Sequence, residues 1–171
     1  MGNLAIMKHL SPDHPAKALV RLLIPIDATD ESRWGLVYAT RLARAGAQVE
    51  VSLLFVAEPV RNWEILRFYT EDEVRKHFQE RSAIFLEEAA KTLSEAGITS
   101  RTYFREADAV GGVIDMAEEL NCSEVVVPRT QWFGLFPSGL GQKLINQHCT
   151  IPVTLINADG STEASFPAFQ K

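Results

Sequence analysis

The chain has 171 residues, enough for one domain with a full core. Hydrophobic residues make up 46% and charged residues 23%, the balance of a globular protein in water, and the formal net charge is −5. That charge, with no block of Lys or Arg, excludes nucleic acid as an expected partner, since binding it needs a basic face. No apolar run reaches the roughly 18 residues of a membrane span, so no membrane contact is expected. The first 18 residues, MGNLAIMKHLSPDHPAKA, carry only a short apolar patch, too little for a secretory leader. Ile6 stands where a myristoylation signal after Gly2 wants Ser or Thr. The cytoplasm is therefore the expected compartment. Cys122 and Cys149 form no motif and read as incidental core thiols.

Strand and helix then alternate along the chain. Leu19 to Ile26 (LVRLLIPI) is a near-continuous apolar run, as in a strand covered on both faces. Residues 27–32 (DATDES) are rich in side chains that cap helices. A helix is predicted from about Glu31 to Ala45, with Gly35, Ala39, Leu42, Ala43 and Gly46 in one stripe of mostly small residues. Gln48 to Val56 is a second strand. Glu58 to Thr70 reads as a loop, in which WEILRF forms a short helical turn. The longest helix runs from Glu71 to Ala96, with Phe78, Ser82, Phe85, Ala89, Leu93 and Ala96 on one face and Gly97 as its stop. Ser100 to Glu106 alternates Thr102 and Phe104 with Arg101, Tyr103 and Arg105, the pattern of a half-exposed edge strand.

Asp108 is positioned to cap a helix whose face is Val110, Val113, Ile114, Ala117 and Leu120. Gly111 and Gly112 lower its helix propensity by about 1 kcal/mol each relative to alanine, so a close contact is expected there. Ser123 to Pro128 is a central strand, Leu140 to His148 a short helix, and Ile151 to Ile156 (IPVTLI) the last strand. Residues 1–17 and 158–171 are expected to be flexible tails around a domain of residues 18–157.

Such alternation implies parallel strands, right-handed crossovers and helices on both faces. The edge-like third strand and the apolar first and fourth strands favour an open five-stranded parallel sheet of order 3-2-1-4-5, a Rossmann-like α/β fold. Ligands in such sheets sit outside the carboxyl ends of the strands where the winding reverses, here between the first and fourth strands. Two loops meet there: the one after Ile26, and residues 127–141 (VPRTQWFGLFPSGLG).

The stretch LLIPIDATDESRWGLVYATRLARAGAQVEVSLLFVAEP resembles the start of a universal stress protein domain. The resemblance rests on Pro25-Ile26-Asp27, the small-residue helix after Asp30, and Phe55-Val56. EADAVGGVIDMAEELNCSEVVV and the closing Pro152-Val153 are similar to later parts of that family, so about residues 18–157 are covered. The resemblance implies the adenine nucleotide alpha hydrolase-like fold, and dimerisation through the last strand. It also implies a ligand crevice about Pro25, Asp27, Ala28, Val56, Val127, Pro128, Arg129, Ser138, Gly139, Gly141 and Gln142, with Asp27 on the adenine and ribose side. Asp27 can equally be a turn former that caps the first helix.

Nucleotide-binding members carry G-x-x-G, nine residues, then G-S or G-T after the fourth strand, so that backbone amides and a hydroxyl reach the phosphates. This chain departs from that pattern. Counted from the strand, Pro128 and Gln131 replace the first two glycines, and Gln142 follows Gly141 where the hydroxyl belongs. Counted back from Pro152-Val153, Gly139 fits the third glycine and Leu140 the hydroxyl position. Proline removes an amide and fixes φ. Arg129 is the one cation in the loop, with Lys143 beyond it.

Trp132, Phe133, Leu135 and Phe136 need their own account. They fold inward to fill the nucleotide's space, pack at a dimer interface, or form a patch for a protein partner. Trp63, Ile65, Phe68 and Tyr69 of the 58–70 loop are available to join that surface or to form a lid. No enzyme or metal motif is present: no G-x-S-x-G, no H-E-x-x-H, no Cys or His pair at metal spacing. A flavin or dinucleotide domain is disfavoured because the first turn lacks G-x-G-x-x-G.

The expected function is thus a cytoplasmic stress-response protein, not an enzyme, without a resident cofactor. It would act as a homodimer through the apolar edge strand Ile151 to Ile156 and through protein contacts. The alternative is an ATP- or AMP-binding protein or sensor that uses the degenerate loop.

Overall fold

LVRLLIP folds as strand β1, Leu19–Pro25, and the burial of Leu22, Leu23 and Ile24 shows that both its faces are covered. The structure is a computed structural model and describes residues 18–61, 66–129, 139–147 and 149–163. β2 (Gln48–Ala57) runs parallel to β1, with Leu22 beside Val51 and Ile24 beside Leu53. β3 (Thr99–Glu106), β4 (Glu124–Pro128) and β5 (Val153–Ile156) complete five parallel strands in the expected order 3-2-1-4-5. A sixth strand, β6 (Thr162–Glu163), adds to β5 in the antiparallel sense. Residues 158–163 were expected in a tail; they form a turn and this strand. The resulting order is β3-β2-β1-β4-β5-β6.

Helices cover both faces. On one face lie α1 (Trp34–Arg44) and α2 (Glu71–Glu95), which enclose Leu22, Ile24, Val51, Leu53, Val126 and Ile156 with Leu36, Ala39, Leu86, Ala89 and Leu93. On the other lie α3 (Ala109–Glu119) and α4 (Leu140–Asn146), which enclose Leu23, Leu54, Val125 and Val127 with Val110, Val113, Met116, Ala117 and Leu144. Each of these large apolar side chains contributes about 1.5–3 kcal/mol by leaving water.

Small residues set the helix-to-sheet distance. A Cβ on Gly35 would stand 2.6 Å from Cγ2 of Ile24, so α1 lies directly on β1. The first helix opens at Glu31 as expected, but as one 3-10 turn (Glu31–Arg33) before α1. Of the predicted stripe, Gly35 and Ala39 are buried, Leu42 and Ala43 are half-buried, and Gly46 takes φ +92° in the closing turn.

α2 begins with a reciprocal cap. Thr70 accepts from the Glu73 amide at 3.2 Å, and the Glu73 carboxylate accepts from the Thr70 amide at 2.8 Å. Its buried face is Ser82, Leu86, Ala89 and Leu93, with Phe78 and Phe85 half-buried; Ala96 is exposed because the helix has already ended. Gly97 takes φ +74° there. Asp108 caps α3 by accepting from the Gly111 amide at 3.0 Å. The expected close contact exists: a Cβ on Gly112 would lie 3.1 Å from both Val56 Cγ1 and Ala107 Cβ.

β5 is shorter than the expected Ile151 to Ile156, because Ile151 and Pro152 precede it. Pro152 has no amide to give a ladder, but its carbonyl accepts from Val125 at 2.9 Å. Trp63, Glu64 and Ile65 of the WEILRF turn, His148, residues 1–17 and residues 164–171 lie outside the described residues.

Candidate functional site

A cleft of about 430 Å³ opens at the carboxyl ends of β1 and β4, where the sheet order reverses. That volume falls within the roughly 300–1,000 Å³ of small-molecule sites. Pro25, Ile26, Leu54, Val56, Val113, Pro128 and Leu140 give it apolar walls. Asp27, Thr29, Glu31 and Ser32 give it a polar side, and Ala109 at the start of α3 lines it as well.

The polar side is built by the turn after β1. Oδ1 of Asp27 accepts from the Thr29 amide at 2.7 Å and from the Thr29 hydroxyl. The Ser32 hydroxyl donates to the Thr29 carbonyl at 2.9 Å and accepts from the Asp27 amide at 3.2 Å. Ser32 is only 3% exposed, so its buried hydroxyl finds its partners in these backbone groups. Arg33 clamps the turn from outside. One guanidinium nitrogen donates to the Thr29 carbonyl at 2.9 Å and another to Glu88 of α2 at 3.0 Å. Asp27 therefore does form a turn, through one oxygen; Oδ2 accepts no hydrogen bond among the described residues.

The opposite wall is the end of β4. Pro128 has no amide, and the amide of Arg129 donates to the Ile156 carbonyl at 2.7 Å. The first two residues past Val127 thus leave no backbone donor for a ligand. Residues 130–138, including Gln131, Ser138 and the four apolar side chains from Trp132 to Phe136, lie outside the described residues. They contain no Lys or Arg.

Gly139 is the N-cap of α4, with φ −66° and ψ 146°, a conformation any residue adopts. Gly141 has a packing reason to be glycine. A Cβ there would meet Leu155 Cδ2 at 2.5 Å and Val127 Cγ2 at 3.0 Å.

Of the residues expected about the crevice, Pro25, Asp27, Val56 and Pro128 line the cleft together. Val127 is wholly buried in the core under α3 and α4. Ala28 is exposed and outside the cleft lining. Gly141 is buried against the sheet, and Gln142 is exposed with its amide donating to Asn146 at 3.0 Å. Ser32, Glu31, Leu54, Ala109 and Val113 were not singled out from the sequence. Only Ser32 carried a signal, as a small hydroxyl five residues after Asp27 and just inside a helix start. The donor set suits a partly apolar ligand with hydroxyl groups, which Asp27 could accept from. Its two carboxylates, Asp27 and Glu31, disfavour a polyanion.

Comparison with known proteins agrees with this architecture. The model of the universal stress protein family matches residues 20–157. Among solved structures, hypothetical protein MJ0577 is similar at a TM-score of 0.66 and 18% identity, over 80% of this chain and 94% of that one. A universal stress protein family member from Burkholderia pseudomallei gives 0.62 and 18%, over 80% and 94%. One from Arabidopsis thaliana, solved with AMP bound, gives 0.55 and 13%, over 81% and 91%. A sequence comparison with curated proteins finds no match. With the family model spanning most of the chain and the fold shared, this chain belongs to the universal stress protein family.

Proposed function

We propose that this chain is a stress-response protein of the cytoplasm that acts through protein contacts and binds ATP weakly, without catalysing a reaction. The observation that carries this reading is the chemistry of the cleft. Among the described residues its lining holds two carboxylates and no Lys or Arg, and the loop from 130 to 138 adds none. A triphosphate there would meet like charge and no amide from Pro128 or Arg129. Pairing with a second copy along the outer edge of β5 is the assembly we propose, since Val153 and Thr154 have no strand beside them on that side among the described residues.

The second reading, an adenine-nucleotide binder, is supported by the place of the cleft, by the available Oδ2 of Asp27, and by the AMP bound in the Arabidopsis relative. Calorimetry with adenosine, AMP and ATP separates the two. The expected result is millimolar affinity that does not improve from adenosine to ATP. Micromolar ATP affinity, about −8 kcal/mol, would overturn the first reading, because only a working phosphate site supplies it.

A further inference from the structure

We propose that Asn157–Glu163 is a strap that gates the outer edge of β5, and that its release opens this edge to the same edge of a second copy of the chain. The proposal rests on the β5 pairing proposed above. β6 lies antiparallel outside β5, with Glu163 beside Leu155 and Thr162 beside Ile156. An isologous partner related by a two-fold axis would lay its own β5 in that same antiparallel position. The outward backbone groups of Leu155 and Asn157 serve one neighbour on that side, either the strap or the partner; the Ile156 carbonyl faces β4, where it accepts from Arg129.

The strap covers two of the four residues of β5, and so short a pairing holds weakly by itself. Its hold comes from the turn. The Asn157 amide donates to the Ser161 carbonyl at 3.0 Å, and the Gly160 amide to the Asn157 carbonyl at 2.9 Å. Asp159 accepts from the Ser161 amide at 2.9 Å, and its own carbonyl accepts from Arg41 of α1 at 3.1 Å. Gly160 is the latch. It takes φ +72°, and a Cβ there would stand 3.0 Å from the Tyr38 amide nitrogen and 3.0 Å from Val37 Cγ1. A larger residue at 160 is strained in its backbone and lifts the turn off α1. The strap is tethered to the edge it covers, so its effective concentration exceeds that of a free partner and the closed form is the ground state.

The test is sedimentation of the full-length chain, native and with Gly160→Val or Arg41→Ala, over a micromolar concentration series. Hydrogen exchange across β5 accompanies it. The expected result is self-association at least tenfold tighter in Gly160→Val and a smaller tightening in Arg41→Ala. Slower exchange at Val153, whose amide faces the outer edge, should appear in the associated form. Equal association in native and variant chains would overturn the strap and leave the pairing. Monomers throughout would overturn both. Weaker association in Gly160→Val would overturn the gate by making the strap part of the interface. Should Gly160→Val fail to fold, Arg41→Ala, an exposed side chain, carries the same outcomes.

Discussion

The two walls of the cleft are held in different ways. The wall after β1 is a hydrogen-bonded turn in which Asp27, Thr29, Ser32 and Arg33 bind one another's backbone. The wall after β4 is held by packing: Pro128 ends the strand, and Gly141 lets α4 settle onto Val127 and Leu155. A polar turn keeps its shape whatever occupies the space beside it. A packed wall keeps its shape only while volumes match. The pairing of the two explains how the family's fold persists after the phosphate-binding pattern has changed: the glycine that remains buried serves the helix-to-sheet contact.

Breaking the packed wall should have the largest effect. Gly141→Val drives its side chain into Leu155 and Val127, and we expect a loss of about 1–3 kcal/mol in denaturant unfolding. The polar wall should yield less. Ser32→Ala removes a hydroxyl that serves the amide of Asp27 and the carbonyl of Thr29, at a net cost of about 1 kcal/mol for the lost hydrogen bonds. An unchanged melting temperature in Ser32→Ala would mean that the turn is held by Arg33 instead. Gly139→Ser sharpens the comparison from the other side. Its backbone is ordinary and a serine cap suits it, so stability should hold within about 0.5 kcal/mol or rise slightly. A large loss at Gly139 would show that both glycines of the packed wall are required.

The smallest effect is expected far from either wall, at the start of α2. Hydrogen bonds from the Thr70 backbone and hydroxyl hold the Glu73 carboxyl below its usual range. A lowered carboxyl stabilises the fold above its unfolded value of about 4.3. That contribution is lost as pH falls through the lower, folded value. Glu73→Gln should flatten this acid limb of a pH series of thermal melts by lowering neutral stability slightly, while stability in acid stays as it was.

Much of the fold was legible because its signals are local. LVRLLIP and EVVVP are apolar but for Arg21 and Glu124 because they lie between two helical layers, and Gly97 marks the end of α2 through its positive φ. The edge position of β3 was legible in its alternating charges. β6 was not, since two residues have no periodicity, although Asn157-Ala-Asp-Gly spells a turn that would have limited the supposed tail. The extra length assigned to the last strand came from Ile151, whose side chain packs on the core from outside the ladder. About the cleft, Asp27 and Val56 were legible as lining residues from their place at strand ends. The burial of Val127 and Gly141 was not, because facing cannot be read from proximity in sequence. A strand residue one step from the crevice points into the core beneath α3 and α4.

Arg33 has a consequence that reaches beyond the cleft. It grips the turn with one end of its guanidinium and Glu88 with the other, and its charge lies 5.9 Å over the ring of Phe85. Glu88 and Phe85 belong to α2, a rod of 25 residues, about 37 Å long. The turn and the rod are thereby geared together. Whatever rests on the outer side of that rod is linked to the polar wall of the cleft, and the Arg33 guanidinium is the tooth between them.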